Sequence, residues 1–352
     1  MNYEMIDINL PAGYGARPAA MNDLEAVVDF LNLTSIGLFG KDEFSVEEYR
    51  REWGTPGYKL STDSLLINSP SGDIVGYQEV WDIFVPSIRV NIWGRVHPEY
   101  EGLGIGAYLI AWAEQRAREI IERAPVGARV SVHSHVPYMN KNSLIQHREA
   151  GFIAARFSLR MLIELNGHPP LPHIPDGVTV RTMQTGEERA VIQAASDSFQ
   201  DHFGHVDMPF EEEYKLWKHV MENDQNYDPT LWFLAEADSE IVGMSLCWPR
   251  TSEDKQMGWI DTLGVLRPWR RRGIALALLQ HSFGELYQRG AKRVGLGVDG
   301  MSLTGATCLY EKAGMHSDPN HRYEMYEKEL RPGVELSTTT LDQEAESESS
   351  PA

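Results

Sequence analysis

Two stretches decide the fold of this chain: VHPEYEGLGIGAYLI (residues 96–110) and VLRPWRRRGIALALL (residues 265–279). Each leaves an apolar, strand-like run at a valine, passes a proline and a glycine-bearing turn, and enters a long apolar period of helical spacing. The match extends to both sides. ARPAAMNDLEAV (16–27) aligns with VRTMQTGEERAV (180–191), the DIVG segment at 73–76 with EIVG at 240–243, and EAGF (149–152) with KAGM (312–315). Order is kept and the offsets stay between 163 and 169 residues, so the chain reads as two copies of one domain that differ in loop length.

Working outward, NGHPPLPHIPDG (166–177) holds four prolines and two glycines and reads as a semi-rigid linker. It divides the chain into expected domains at 12–165 and 178–330. Asn22 and Asp23 are placed to cap a helix through Leu31, and strands are expected at 63–68, 74–84, 88–97, 128–134 and 153–165. A helix from the glycine turn to about Arg123 and another near 140–150 complete the first copy. The second is expected to hold helices 187–199, 209–222, 273–289 and 304–313 among strands 231–237, 240–248, 257–266, 293–298 and 322–330. Helices and strands mixed around a sheet make the class α/β.

The 352 residues suffice for two ordinary domains, and 42% hydrophobic with 24% charged residues is a globular composition. No apolar run approaches a membrane span, and the N-terminal residues lack a secretory pattern. Two cysteines, Cys247 and Cys308, leave no disulfide framework and no paired metal motif, which fits a cytoplasmic protein. The net charge of −19 disfavours nucleic acid as a partner and suits a cationic small molecule, although acidity also serves solubility alone. Residues 331–352 carry five acids against one arginine in a Ser/Thr/Glu-rich segment and are expected to be disordered.

The turn at 270–275 is where phosphate chemistry is expected. Free N–H groups at a helix start and a tight turn form an anion-binding concavity, and Arg270, Arg271 and Arg272 add positive field. Gly273 permits close approach of the backbone. The loop has neither P-loop spacing nor a dinucleotide GxGxxG, since Ala275 stands at the second glycine position.

The strand ending in Val265, the Arg270–Ala275 turn and the downstream Leu309-to-Met315 segment (LYEKAGM) together resemble the GCN5-related N-acetyltransferases (GNAT). The layout is similar to tandem members of the mycothiol-synthase type, so the resemblance implies two GNAT-like domains, each a mixed, mostly antiparallel sheet flanked by helices. It implies acetyl-CoA as acyl donor, with main-chain groups near Leu263 and Val265 along its pantetheine arm. The amides of Arg271, Arg272, Gly273, Ile274 and Ala275 would hold the pyrophosphate. By the same resemblance, Tyr310 protonates the departing thiolate and Asp261 is the base, direct or through water. A small cationic amine is the expected acceptor, with no metal, nucleic acid or membrane, in a monomer or homodimer. The alternatives are another acyl-CoA as donor, or a non-catalytic CoA-binding scaffold.

The first copy places Glu101, Ile92 and His147 where the second has Arg270, Asp261 and Tyr310, and is expected to be degenerate. His202 and Phe203, in the segment Asp201–His205, are candidates for acceptor recognition, weighed against a capped loop with exposed histidines. Trp248, near the strands of the site, is a further candidate, weighed against a core role; Glu211–Glu213 read as a solvated first helical turn or as a lure for a cationic acceptor. His133 and His135 share one strand face as structural partners, and Cys308 is expected to be a small buried thiol.

Overall fold

The structure, a computed structural model, describes residues 9–340. In chain order it begins with β1 (Gly15–Arg17), α1 (Leu24–Phe39), α2 (Val46–Trp53), α3 (Leu60–Asp63), β2 (Ser64–Asn68) and β3 (Ile74–Trp81). Next come β4 (Arg89–Val96), α4 (Ile105–Ile120), β5 (Val130–Pro137), α5 (Lys141–Glu149) and β6 (Ile153–Glu164). The pattern then recurs with β7 (Thr179–Thr182), α6 (Glu188–Phe199), α7 (Phe210–Asn223), β8 (Trp232–Ala237), β9 (Glu240–Trp248) and β10 (Met257–Val265). It closes with α8 (Ile274–Gln288), β11 (Arg293–Asp299), α9 (Ala306–Lys312) and β12 (His316–Arg331). Residues 166–177 hold neither helix nor strand. Helix α1 runs past Leu31 to Phe39 and stops where Gly40 turns left-handed, at φ 75°.

The chain forms two compact units, and neither is contiguous. Among the described residues the first holds 9–158, 211–225 and 319–335, and the second holds 159–210, 226–318 and 336–340. This differs from a division at the linker, and the reason is strand pairing. In the first unit the strand order is β1-β2-β3-β4-β5-β12. The strand beside β5 is therefore β12, from the chain's other end, with Tyr323 opposite Pro137 and Lys328 opposite Val132. In the second unit the order is β6-β11-β10-β9-β8-β7, so β6 closes the sheet that β12 was expected to close. The pairs β1–β2, β2–β3, β3–β4, β5–β12, β7–β8, β8–β9 and β9–β10 are antiparallel, and β4–β5 and β10–β11 are parallel.

Burial explains why β12 belongs to the first unit. Tyr326 is fully buried among Val80, Val90, Ile110, Val132 and Phe152. Lys328 Nζ donates to Glu114 Oε2 at 2.7 Å and to the Ala150 carbonyl at 2.7 Å. Helix α7 also belongs to this unit from Glu211 onward. His219 Nε2 bonds the Arg51 carbonyl at 2.8 Å, and Arg51 pairs with Asp224.

In the second unit α8 lays Ile274, Ala277, Leu278, Phe283 and Leu286 against the sheet. Full burial of the Ile, Leu and Phe side chains contributes about 1.5–3 kcal/mol each. The repeat is visible in detail. Arg17 holds Asp23, whose carboxylate accepts the Ala20 N–H, and Arg181 holds Glu187, whose carboxylate accepts the Gln184 N–H. Among the described residues no helix is long and apolar enough to cross a membrane.

The segment after Arg331 is not disordered through residue 340. Val334 bridges Ala128, and the Thr338 N–H donates to the His205 carbonyl at 2.8 Å. Backbone groups of 331–340 thus find partners that composition does not reveal. Residues 341–352 of the expected tail lie outside the described residues.

Candidate active site

Strands β10 and β11 pair only at Met257, Gly258 and Trp259, opposite Arg293, Val294 and Gly295. Beyond that point they diverge, and the β10 edge facing β11 is left unpaired through Leu263 and Val265. Asp261 is an extra residue in β10: Ile260 pairs with Cys247 and Thr262 with Leu246, so Asp261 forms a β-bulge at the start of the splay. A bulge bends its strand and re-aims its side chain. Gly264 keeps the other face tight, because a Cβ there would lie 2.9 Å from the Ser198 Cβ, where α6 crosses the strand.

A cavity of about 150 Å³ opens in this splay. Asp261, Leu263 and Tyr310 line it together. Tyr310 is 8% exposed, and burial pushes its phenol up to about 12, so it stays protonated at neutral pH. Asp261 is exposed and accepts a hydrogen bond from Thr262 Oγ1 at 3.0 Å.

His202 and Phe203 form part of the wall with Phe199, whose ring lies 4.3 Å from the His202 ring. Burial lowers the pKa of His202 and favours its neutral form. Trp248 does not line the cavity. It pairs with Trp259 before the splay and packs 6.1 Å from Trp232. Asp299, at the end of β11, does line it, and sequence reading missed it. The available signal was an acid at the end of the strand that runs parallel to the one bearing Asp261. Glu211–Glu213 open α7 in the first unit and are not among the lining residues.

The turn leading into α8 has two left-handed residues, Arg271 at φ 61° and Gly273 at φ 90°. Gly273 caps α8 with no side-chain bond, so the first amides of the helix have no intrahelical partner. Arg271 and Arg272 are exposed beside them. Arg270 is placed differently. Its guanidinium embraces both oxygens of Asp201, with Nη2 to Oδ1 at 2.9 Å, and also bonds the carbonyls of Ser198 at 2.8 Å and Val265 at 3.0 Å. Its charge is therefore matched within the protein. Cys308 is exposed rather than buried, because the short α9 turns Tyr310 inward and Cys308 away.

The Acetyltransferase (GNAT) family matches residues 190–315. A GCN5-related N-acetyltransferase from Sphaerobacter thermophilus is 35% identical, over 94% of this chain and 100% of that one, with a TM-score of 0.78. The chain belongs to the GCN5-related N-acetyltransferase family. A mycothiol acetyltransferase of Streptomyces bingchenggensis is 28% identical over 71% of this chain and 76% of its own length. A tandem GNAT protein from the clavulanic acid biosynthesis pathway shares the fold at 14% identity and a TM-score of 0.65, over 91% and 99% of the two chains. The protein is thus an acetyltransferase of the GNAT type with two GNAT-like units.

The first GNAT-like unit keeps the frame and holds a smaller cavity. β4 and β5 also part after four pairs, and Gly102 and Gly104 reproduce the left-handed turn at φ 79° and 81°. Yet β4 runs without a bulge, with Ile92 opposite Val80. Gln78 Oε1 occupies the space that a side chain on Gly94 would need, and Gln146 does the same above Gly106 at the helix start. Asn142 donates to Glu101. The remaining cavity is about 40 Å³. His147 is buried, with Nε2 2.9 Å from Ser134 Oγ and Nδ1 2.8 Å from the Ser143 carbonyl, and burial lowers its pKa. Both ring nitrogens are engaged in structure. His133 is likewise a structural histidine, 2.7 Å from Ser131 Oγ.

Proposed function

We propose that the second GNAT-like unit transfers an acetyl group from acetyl-CoA to the primary amine of a small, cationic acceptor by direct attack. The observation that carries this is the meeting of Asp261 and Tyr310 in one cavity, at the point where β10 and β11 separate. In this reading the unpaired edge at Leu263 and Val265 runs along the pantetheine arm. The amides of Arg271 through Ala275 receive the pyrophosphate, with the exposed Arg271 and Arg272 side chains adding attraction.

An alkylamine of pKa near 10 is about 0.1% neutral at pH 7, which costs roughly 4 kcal/mol at 1.36 per unit. In this reading Asp261 is the base that takes the ammonium proton, directly or through water, as the amine is positioned to attack. The neutral nitrogen then attacks the thioester carbonyl; as the C–N bond forms and the C–S bond breaks, the nitrogen sheds its second proton to solvent, where the proton held by Asp261 also goes. The thiolate takes its proton from Tyr310, and the phenol is restored from solvent. Asp261 and Asp299 on the wall favour a positively charged acceptor, and Phe199 and Phe203 offer it an apolar surface.

The test is an acetyl-CoA-dependent screen of small amines, amino sugars, aminoglycosides and peptides, reading release of free thiol. Mycothiol-type acceptors belong in the panel because of the mycothiol acetyltransferase relatives. Release without any acceptor dependence would count against direct transfer.

A further inference from the structure

The placement of Arg270 points to a role apart from phosphate binding, and the inference rests on the acceptor reading above. We infer that the Arg270–Asp201 pair is a positioning strut. It ties the acceptor wall, Asp201–His205, to the turn that leads into α8, and the C-terminal segment at Thr338 straps the same wall from its other end.

The wall segment follows the last turn of α6 and carries His202 and Phe203, two of the residues that line the cavity. A loop of this kind needs fixed points to hold side chains in one place. Its first fixed point is Asp201, which is 6% exposed. Arg270 meets both of its oxygens, and Arg267 Nε lies 3.5 Å from Oδ2. Burial acts to raise the Asp201 pKa, but the hydrogen bonds and charge of Arg270 and the charge of Arg267 outweigh it and hold the carboxyl below the usual range. The bidentate fork fixes orientation as well as distance. The other donors of Arg270 bond the Ser198 and Val265 carbonyls, so one side chain joins the end of α6, the end of β10 and the wall.

The second fixed point is Thr338. The Gly204 N–H donates to its carbonyl at 2.7 Å, its own N–H donates to the His205 carbonyl at 2.8 Å, and its Oγ1 donates to the Gln200 carbonyl at 3.0 Å. His202 and Phe203 thus project from a segment gripped at both ends. An arginine committed to Asp201 in this way is also a poor phosphate ligand, because a phosphate would have to displace a buried carboxylate that would be left unpaired.

The experiment compares the full chain with Asp201→Asn, Arg270→Met, the double variant, Asp201→Glu and Thr338→Pro. Two readouts are taken: amide hydrogen exchange over 198–205, and CoA affinity by titration calorimetry. A strut gives at least tenfold faster exchange at 201–205 in Asp201→Asn and in Arg270→Met, with the double variant no worse than either. Partial rescue is expected in Asp201→Glu, and CoA affinity stays within about threefold of wild type throughout. Thr338→Pro speeds exchange at Gly204 with CoA affinity unchanged. With glucosamine as the amine probe, the strut variants raise the acceptor KM at least tenfold and change kcat far less. The strut is overturned if exchange in Asp201→Asn equals wild type, or if Arg270→Met weakens CoA tenfold while Asp201→Asn does not. If Arg270→Met does not fold, Arg270→Lys, which keeps the charge and loses the fork, takes its place. No CoA binding by the wild-type chain would sink the acetyltransfer reading instead, and the exchange result would still judge the strut.

Discussion

Tyr310→Phe removes one oxygen from a side chain that is 8% exposed and keeps its packing, so it isolates the proton. Burial pushes this phenol up to about 12, and at neutral pH fewer than about one molecule in ten thousand carries it ionised. A positioned general acid contributes about 10²–10⁴ in rate, or about 2.7–5.4 kcal/mol at 1.36 per decade. The variant is therefore expected to lose at least a hundredfold in kcat and to bind CoA within about threefold of wild type. The assay is release of free thiol at saturating acetyl-CoA and amine. It is run on a Cys308→Ser background, because that exposed cysteine would itself react with the reagent. The pH profile supplies a second check. An acid is needed in its protonated form, so activity falls as pH rises through its pKa. A phenol raised to about 12 leaves kcat/KM without a tyrosine limb up to pH 10, whereas an ordinary tyrosine would begin to fail there. Turnover in Tyr310→Phe within threefold of wild type would refute the reasoning, and so would a descending limb near pH 10 that the variant lacks.

Asp261→Asn is expected to lose about 10²–10⁴ in kcat/KM at pH 7, and to lose less as pH approaches the amine's own pKa near 10, where solvent has already removed the proton. A ratio to wild type that stays constant from pH 7 to 9.5 would exclude a base role. Gly273→Ala puts a side chain at φ 90°, which costs about 1–2 kcal/mol and lowers Tm by a few degrees, with weaker CoA binding. Gly104→Ala, at φ 81° in the first unit, is expected to cost similar stability and leave turnover unchanged. Glu52 is pushed up to about 8 by burial first and by Glu48 and Glu79 next. A carboxyl raised in the folded state supports stability fully below its unfolded pKa near 4.5, and that support is lost as pH rises through about 8. Glu52→Gln should therefore raise Tm at pH 8.5 relative to wild type and give little gain at pH 5; an equal shift at both would contradict the assignment.

The repeat was legible because it rests on local chemistry. Arg17 with Asp23 and Arg181 with Glu187 close the same turn, and Gly104 and Gly273 end the same strand-to-helix connection. Asp261 and Tyr310 were named through the family resemblance alone, and the structure brings both to the wall of one cavity. Tertiary choices were not legible. β6 and β12 both follow a short helix and a glycine, and nothing in their own sequences says which of β5 or β11 each will join. The side-chain direction of Arg270 was hidden as well, because its partner Asp201 lies 69 residues away in a loop. Cys308 turned outward because α9 is only seven residues long and has one buried side, which Tyr310 takes.

The strand exchange bears on why the first copy persists beside the second. The sheet of residues 159–318 is closed by β6, the last strand of the first copy in sequence, and β12, the last strand of the second copy, buries Tyr326 beside β5. A cut at the Pro-rich linker would leave β11 without β6 in one fragment and β5 without β12 in the other. Each fragment would then expose a row of unpaired backbone groups and, in the first, the apolar site that Tyr326 fills. The side chains at Ile92, Glu101 and His147 are not part of this strand pairing, and Gln78, Gln146 and Asn142 pack beside Gly94, Gly106 and Glu101. The first copy is thus bound to keep its fold whatever its side chains at those positions do. A fragment of residues 178–340 expressed alone is expected to aggregate or to lack a cooperative melt, whereas the same fragment with residues 9–165 supplied as a separate chain should recover both melt and CoA binding. A soluble, cooperatively melting 178–340 fragment would show that β6 is dispensable to the catalytic sheet, and the structural reason for retaining the first copy would fall with it.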